Sequence, residues 1–231
     1  MSYIKAVSLD LDGTLICTKP AEDIISNFLK RHGIMVKSKR IRNELRNVKH
    51  YNKIALEKYK DPKECYVNLN YAILSALNVH SWELAEKLFN EWFNRDNFKI
   101  YKDAIRFLTC IKSLNLKIVI LSNNLSNEVV KVLRIIGVKD FVDAIATPDL
   151  SGYFKPSLGA FKYVANIVRV PPNRIIHIGD SLEEDYMGAL KSGMKALLVV
   201  RKANPPSGIR YVRSLDEACD RVLAFEHVGE G

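Results

Sequence analysis

Short apolar runs alternate with helical patterns along most of this 231-residue chain. Runs of Ile, Leu and Val are typical of parallel strands, because such strands are covered on both faces. Strands that alternate with helices form right-handed βαβ units, which build a doubly wound, mostly parallel sheet. The predicted strands are 4–9, 117–121, 144–146, 175–178 and 196–200, and the predicted helices are 103–113, 127–136, 158–168, 184–192 and 215–225.

The segment 16–98 departs from this alternation, since it contains several helical patterns and no convincing strand. Pro20 suits the first turn of one helix, and Ser81 suits the cap of another. We therefore expect an all-helical domain, 16–98, inserted after the first strand of an α/β domain that comprises 1–15 and 99–231. The predicted helices of the insertion are 21–32, 40–59, 63–77 and 82–94.

Composition narrows the class of protein. Hydrophobic residues make up 48% and charged residues 26%, as in ordinary globular proteins. No apolar run reaches the length of a membrane span, and the first residues lack a signal core, so we expect a cytoplasmic protein. Cys17, Cys65, Cys110 and Cys219 show no zinc-ligand spacing, and we expect buried reduced thiols.

The net charge is +9, from 35 basic and 26 acidic residues. Such a surplus suits a phosphate-rich partner. The charge alone leaves both nucleic acid and a small phosphorylated metabolite open as that partner. We expect no membrane partner, and a chain that is a monomer or a homodimer. The absence of glutamine and the many Lys, Ile and Leu residues hint faintly at a hot-growing source, whereas the abundance of Asn argues against one.

Two carboxylates follow the first apolar run, in Asp10-Leu-Asp12-Gly13-Thr14. Residues two apart on a strand share a face, so both carboxylates lie together where the strand ends. A simple Asp-Gly turn would also explain the pair. The arrangement is costly because like charges repel, and this favours a chemical use.

Three more polar signals fall at, or lead into, other strand ends. Ser122 follows strand 117–121, Lys155 stands in Phe-Lys-Pro, and Asp180 begins a cluster that continues to Asp185. Taken singly, the signals have structural explanations: a helix cap, a solvated charge and acids that favour a helix N-terminus. Together they indicate one site, since ligands bind at the carboxyl ends of such sheets.

In this order the motifs resemble those of the haloacid dehalogenase-like hydrolase superfamily, and in particular its capped, phosphoglycolate phosphatase-like branch. That resemblance covers the whole chain and implies a Rossmann-like α/β fold, with segment 16–98 as a helical cap. It also implies an Mg²⁺-dependent hydrolase of phosphoric monoesters. Dehalogenases of the superfamily lack the second acid, so Asp12 favours phosphate ester chemistry.

The resemblance assigns roles to these residues. Asp10 is the nucleophile, Asp12 the general acid and then base, and Lys155 and Ser122 hold the transferring oxygens. Mg²⁺ is assigned to Asp10, the carbonyl of Asp12, and Asp180, while Asp185 acts through water or steadies Lys155. The expected substrate contacts beside these are Gly13, Thr14 and Asn123. Arg42 and Arg46, in the basic segment 37–53, are candidate contacts from the helical insertion, although a solvated helix face explains that segment better.

Two departures and two alternatives stand beside this interpretation. Tyr101-Lys102-Asp103 replaces a common Tyr-Pro-Gly, and Glu184 stands where Asn is common. We expect the first departure to affect the turn that re-enters the α/β domain, whereas the role of Glu184 stays open. A phosphosugar mutase needs the same acids, and an inactive protein that binds through the basic segment 37–53 is a further alternative.

Overall fold

A central sheet of six parallel strands organises the structure, a computed structural model that describes residues 4–47, 61–202, 204–205 and 207–227. The sheet confirms the predicted doubly wound α/β fold. Its members are β1 (Ala6–Leu9), β4 (Lys117–Leu121), β5 (Ala144–Ala146), β6 (Ile175–Gly179), β7 (Lys195–Val199) and β8 (Tyr211–Val212), in the order β5-β4-β1-β6-β7-β8. Two short strands, β2 (Ile16–Thr18) and β3 (Phe98–Ile100), form a separate sheet.

Strand β1 lies inside the sheet, with two strands on one side and three on the other. All four of its residues are buried. It pairs with β4 on one side and with β6 on the other. Because the three strands are parallel, their carboxyl ends are neighbours. The strand order also reverses across β1. A crevice for a ligand is expected at such a reversal.

Helices flank the sheet and supply the rest of its core. Phe161 and Val164 of one helix pack with Val119 and Leu198 of the strands in a fully or almost fully buried cluster. The helices of this unit are α5 (Ala104–Ser113), α6 (Ser126–Ile135), α7 (Pro148–Ser151), α8 (Leu158–Val168), α9 (Gly188–Lys191) and α10 (Leu215–His227). A π-helix, Leu182–Met187, precedes α9 in place of the first part of the predicted helix 184–192.

The chain divides into two compact units, residues 1–17 with 99–231, and residues 18–98. The second, called the helical unit here, contains α1 (Ala21–Arg31), α2 (38–47), α3 (Pro62–Ala76) and α4 (Trp82–Glu91). Ile25, Phe28, Leu74 and Leu88 form part of its core. The remainder of the predicted helix 40–59 lies outside the described residues.

Strands β2, β3 and β8 are corrections to the sequence analysis, which expected no strand in 16–98 and none after 200. Each has only two or three residues. A strand this short cannot show the period-two pattern by which strands are recognised. Among the described residues, no helix is long and apolar enough to cross a membrane.

The expectation of four buried reduced thiols is wrong. Cys110 of α5 and Cys219 of α10 form a disulfide, and the free Cys17 is exposed, whereas Cys65 is free and buried. The bonded pair is 109 residues apart in the sequence. Local spacing carries no information on such a pair, because only the packing of α10 on α5 brings the two residues together.

An ion pair fixes the segment that leads from β3 into α5. The guanidinium of Arg201 donates to both carboxylate oxygens of Asp103, at 2.8 and 3.2 Å, and also to the carbonyl of Thr14 at 3.0 Å. Asp103 further accepts from the backbone N–H of Leu215 at 2.8 Å, and Arg201 lies over the ring of Tyr101. Asp103, which stands where Gly is common in the family motif, thus links the start of α5 to the start of α10. Through Arg201 it also links α5 to the loop after β1.

We expect Asp103→Asn to lower the free energy of unfolding by about 2 kcal/mol at neutral pH. Burial alone would raise the pKa of Asp103, but the bonds from Arg201 and Leu215 outweigh it and hold that pKa below its usual range. The carboxylate therefore contributes stability above about pH 4, and this contribution is lost as the pH falls through the lowered pKa. Urea unfolding at neutral and acidic pH should show the difference between wild type and variant shrinking in acid.

The exposed Asp220 of α10 provides the control for this prediction. Asp220→Asn should change stability little at either pH. An equal loss in both variants, or a loss for Asp103→Asn that persists in acid, would contradict the assignment to the Arg201 pair.

Candidate active site

Three neighbouring strands deliver three polar side chains to one edge of the sheet. Asp10 follows β1, Ser122 follows β4, and Asp180 follows β6. In the sheet register, Leu9 pairs with Ile120 on one side and with Ile178 on the other. Asp10 thus lies opposite Leu121 and Gly179, one residue before Ser122 and Asp180, and all three side chains stand at the carboxyl ends of their strands.

A tight turn after β1 places the second acid beside the first. The N–H groups of Leu15 and Ile16 both bond to the carbonyl of Leu11, and the N–H of Gly13 bonds to the carbonyl of Ile16. Gly13 has φ +78°, and a Cβ there would lie 2.0 Å from Oδ2 of Asp180. Glycine is required on both counts, and it lets Asp180 approach the turn.

Lys155 lies between two carboxylates in the interior of the site. Its Nζ is 2.6 Å from Oδ1 of Asp10 and 2.6 Å from Oδ1 of Asp185. All three side chains are at most 10% exposed, so water screens these charges little. Oδ2 of Asp10 is buried and has no hydrogen-bond partner among the described residues.

The group contains one ammonium, Lys155, and two carboxylates, Asp10 and Asp185, and this imbalance of charge affects the pKa values of all three. Burial works against a charged Lys155, but Asp10 and Asp185 outweigh it and raise the pKa of the ammonium. Burial likewise opposes a charged Asp185, yet Lys155 and His177 hold its pKa well below the usual range. Burial and the charge of Asp185 raise the pKa of Asp10. The ionised form of Asp10 is therefore disfavoured in this group, and a bound cation would favour it.

Asn124 forms hydrogen bonds with both Asp12 and Ser122. The side-chain amide of Asn124 donates to Oδ2 of Asp12 at 3.0 Å, and its backbone N–H donates to Oγ of Ser122 at 3.1 Å. Ser122 is 4% exposed. Oγ of Ser122 accepts the bond from Asn124, and in the part of the chain that the structure describes no group accepts its hydroxyl hydrogen, which can therefore donate to a ligand.

The side chain of Asn123 joins the end of β4 to the Lys155 loop. Its Oδ1 accepts from the backbone N–H of Lys155 at 2.7 Å, and its Nδ2 donates to the carbonyl of Lys155 at 3.3 Å. Nδ2 also lies 3.2 Å from a carboxylate oxygen of Glu184, whose pKa is raised by partial burial. The predicted substrate contact of Asn123 remains a prediction, and its side chain already serves to brace the loop.

The acids of the site suit a hard divalent cation. Asp10, Asp180 and Asp185 each offer an oxygen, and these oxygens lie within 4.8 Å of one another. Desolvation of its carboxylate and the nearby charge of Asp185 raise the pKa of Asp180 to about 6. Carboxylates that repel each other and the unpartnered oxygen of Asp10 fit Mg²⁺, which prefers oxygen ligands.

Of the predicted substrate contacts, Arg42 and Arg46 belong to the helical unit, and Thr14 bonds to Arg201 through its carbonyl. Arg42 pairs with Glu22 of α1 at 2.7 Å, and Arg46 is close enough to lower the pKa of Glu22 further. Thr14 is buried, with its carbonyl bonded to Arg201 and its hydroxyl without a partner among the described residues. Substrate contact by Arg42, Arg46 and Thr14 stays a prediction.

Some residues of the site were missed in the sequence analysis. Ser8 and His177 interrupt the apolar runs of β1 and β6, and such polar residues within buried strands are a signal that could have been used. Asn124 follows Ser122 directly. Arg201 gave no signal, because its contact with Thr14 spans 187 residues of sequence.

A family model described as haloacid dehalogenase-like hydrolase matches residues 4–193. The chain belongs to the haloacid dehalogenase-like hydrolase family. The structure of the magnesium-bound HAD-hydrolase YfnB from Bacillus subtilis matches with a TM-score of 0.77, at 18% identity, over 96% of this chain and 99% of that one. The L-2-haloacid dehalogenase Rha0230 matches with a TM-score of 0.79 at 16% identity, over 95% of both chains. These structures show that the haloacid dehalogenase-like fold is shared.

Sequence relatives fall into long and partial matches. Human N-acylneuraminate-9-phosphatase is 25% identical over 220 residues, which covers 87% of this chain and 84% of that protein. Haloacid dehalogenase-like hydrolase domain-containing protein 3 of Xenopus laevis is 28% identical over 122 residues, 53% of this chain and 50% of that protein. The chain thus spans about half the length of the latter relative.

Gly13→Ala should destabilise this haloacid dehalogenase-like hydrolase by about 2 to 4 kcal/mol. A left-handed conformation costs a residue with Cβ about 1 to 2 kcal/mol, and the overlap with Asp180 adds a similar amount. Gly137 has φ +73° and open space around it, so Gly137→Ala should show the conformational cost alone.

Thermal unfolding of the double variant Gly13→Ala with Asp180→Ala separates the two costs. Removal of the Asp180 carboxylate should recover the overlap term, so the double variant should be more stable than the sum of its single changes predicts. Strict additivity would disprove the close approach of Asp180 to the turn.

Proposed function

We propose that this protein is an Mg²⁺-dependent phosphatase that hydrolyses a small phosphorylated metabolite through an aspartyl phosphate on Asp10. The observation that carries the proposal is the second acid. Asp12 stands two residues after Asp10, close enough for its charge to contribute to the raised pKa of Asp10, and it is held by Asn124 in a scaffold shared with dehalogenases. A phosphate ester needs a proton on its leaving oxygen, whereas a halide does not, so this acid favours ester hydrolysis.

The nucleophile is prepared by its surroundings. Oδ1 of Asp10 is held by Lys155, while Oδ2 has no partner among the described residues. In the first step, a carboxylate oxygen of Asp10 bonds to phosphorus, the bond to the ester oxygen breaks, and Asp12 transfers its proton to that oxygen. In the second step, Asp12 takes a proton from water, which attacks phosphorus and releases inorganic phosphate and the free Asp10 carboxylate.

Two donors would stabilise the oxygens of the transferring group. An ammonium group has three donors, and Lys155 uses two on Asp10 and Asp185. The third donor and the free hydroxyl hydrogen of Ser122 are available to phosphoryl oxygens. Fixed donors of this kind contribute most where charge develops in the transition state.

Mg²⁺ would be held by Asp10, the backbone carbonyl of Asp12, and Asp180. When bound, it supplies positive charge that offsets repulsion between carboxylate and phosphate. Asp185 is better suited to steadying Lys155, since Oδ1 already accepts from Lys155 and His177, and Oδ2 accepts from the N–H of Ser181. A role for magnesium agrees with its presence in the YfnB structure.

The substrate class rests on relatives and on charge. N-acylneuraminate-9-phosphatase matches over most of the chain, and the glyceraldehyde 3-phosphate phosphatase of Methanothermobacter thermautotrophicus is 29% identical over 89 residues, 38% of this chain and 39% of that protein. Both names specify a small phosphorylated metabolite. We propose that the helical unit serves as the cap, with Arg42 and Arg46 as its candidate contacts to such an anion.

We further propose a cytoplasmic monomer or homodimer. The Cys110–Cys219 disulfide is unusual for that compartment in mesophiles, but intracellular proteins of hyperthermophiles are rich in disulfides. A hot-growing source would reconcile the two; the lack of glutamine favours such a source, and the abundance of Asn argues against it.

Asp10→Asn should abolish phosphate release from p-nitrophenyl phosphate, with a fall in kcat of about a thousandfold or more, because the amide is not a nucleophile. The exposed Asp140 offers a matched change, and Asp140→Asn should retain wild-type kcat. Residual activity of Asp10→Asn near the wild-type level would exclude the covalent step. Isomerised sugar phosphate without free phosphate would instead identify a mutase, and salt-sensitive nucleic-acid binding without hydrolysis would identify a binding protein.

Mg²⁺ should raise the melting temperature of the wild-type protein relative to NaCl at equal ionic strength. Saturation at a hundredfold the dissociation constant stabilises a protein by about 2.7 kcal/mol. The shift should be larger at about pH 8 than at about pH 5, since the cation binds the ionised form of Asp180, whose pKa is about 6. Asp180→Asn should lose most of the shift. An equal shift in wild type and Asp180→Asn would place the cation elsewhere.

A further inference from the structure

A chain of buried polar groups runs beneath the reacting carboxylate. Ser8 of β1 and His177 of β6 are paired in the sheet register, and both are completely buried. Oγ of Ser8 lies 2.9 Å from Nδ1 of His177, and Nε2 of His177 lies 3.1 Å from Oδ1 of Asp185. The chain continues through Lys155 to Asp10, which is two residues beyond Ser8 on the same strand.

Close packing at the two buried positions of Ser8 and His177 does not require polar residues. The neighbours of Ser8 and His177 on their own strands are Val7, Leu9, Ile176 and Ile178, all of them buried. A buried hydroxyl or imidazole that lacks a partner is costly, whereas a pair of aliphatic residues would need no partner. Each polar group of the chain is bonded to the next, and the last bond reaches the nucleophile.

The carboxylate of Asp185 is fixed from several sides. Oδ1 accepts from Lys155 and His177, and Oδ2 accepts from the N–H of Ser181 at 2.9 Å. A Cβ on Gly179 would lie 2.3 Å from the carboxyl carbon of Asp185, so the carboxylate packs directly on the strand backbone. The ring of His177 is itself held edge-on by Phe161, with centroids 5.3 Å apart.

The direction of the hydrogen bonds follows from the chemistry of the groups. The Asp185 carboxylate can only accept, so Nε2 of His177 carries the hydrogen. With Nε2 as the donor, Nδ1 of a neutral ring accepts the hydroxyl hydrogen of Ser8. Ser8 thus selects the tautomer in which the ring can donate to Asp185.

We propose that His177, held by Ser8, is a positioning residue for Lys155. Its Nε2–H keeps Oδ1 of Asp185 facing the Lys155 ammonium, and Asp185 in turn aims that ammonium at Asp10. This inference rests on the proposed phosphatase activity. The third donor of Lys155 points to the transferring oxygens only while the other two are fixed, so loss of His177 reduces kcat more than it changes KM.

His177→Met and His177→Gln test the proposal as a matched pair. Methionine fills the site without a donor, and kcat for p-nitrophenyl phosphate should fall about tenfold or more, with KM within about twofold. Glutamine keeps an N–H that can reach Asp185 and should recover most of kcat. Ser8→Ala should give a smaller loss, about threefold, since the ring keeps its bond to Asp185.

Ile176→Val, a conservative change at a buried neighbour on β6, controls for packing. It should lower the melting temperature and leave kcat unchanged. A wild-type kcat in a folded His177→Met, or equal losses in His177→Met and His177→Gln, would overturn the positioning role.

The imidazole of the wild-type protein gives a second readout that needs neither metal nor substrate. Long-range ¹H–¹⁵N spectra, with the His177 signals identified by their absence in His177→Gln, should show a protonated Nε2 and an unprotonated Nδ1. The opposite tautomer cannot donate to Asp185 and would overturn the proposal even if His177→Met failed to fold. A wild-type protein with the expected tautomer but no phosphate release would refute the proposed function, and with it the catalytic role of the chain.

Discussion

The ion triplet of Lys155 with Asp10 and Asp185 is the interaction on which the site depends. One buried cation stands 2.6 Å from each of two buried anions. Removal of one partner from a buried pair leaves an uncompensated charge, which destabilises a protein more than the pair stabilises it. The surrounding bonds hold two members of the triplet in place: Asn123 bonds to the backbone of Lys155, and Ser181 and His177 donate to Asp185.

The triplet also explains why this fold suits the chemistry. Its members come from the end of β1, from the loop before α8, and from the π-helix after β6. These three residues are far apart in the sequence, so no single segment could hold them together. A parallel sheet places the carboxyl ends of its strands side by side and so brings them close. Burial and the neighbouring carboxylates disfavour the ionised form of Asp10, and a divalent cation in the site would offset that cost.

Much of the fold could be predicted from the sequence, because strand and helix periods are local. The runs that became β4 and β5 were predicted at their observed bounds, and the helix α8 as well. The convergence of Asp10, Ser122, Lys155 and Asp180 also followed from position, since each stands at, or leads into, a strand end. What could not be predicted depends on tertiary contacts: the disulfide of Cys110 with Cys219, the Asp103 pair with Arg201, and the two-residue strand β8.

The central place of β1 has a consequence for how the chain is made. Its Ala6 pairs with Lys117 on one side and Ile175 on the other. β1 is made before either of its partner strands, so its first edge is covered only after β4 at Lys117–Leu121 is made, and its second only after β6 at Ile175–Gly179. The helical unit, residues 18–98, supplies most of the chain between β1 and β4, yet it raises the entropic cost of closing that loop only slightly, because this cost grows with the logarithm of loop length. Exposed β1 is then the segment on which a chaperone would act during synthesis.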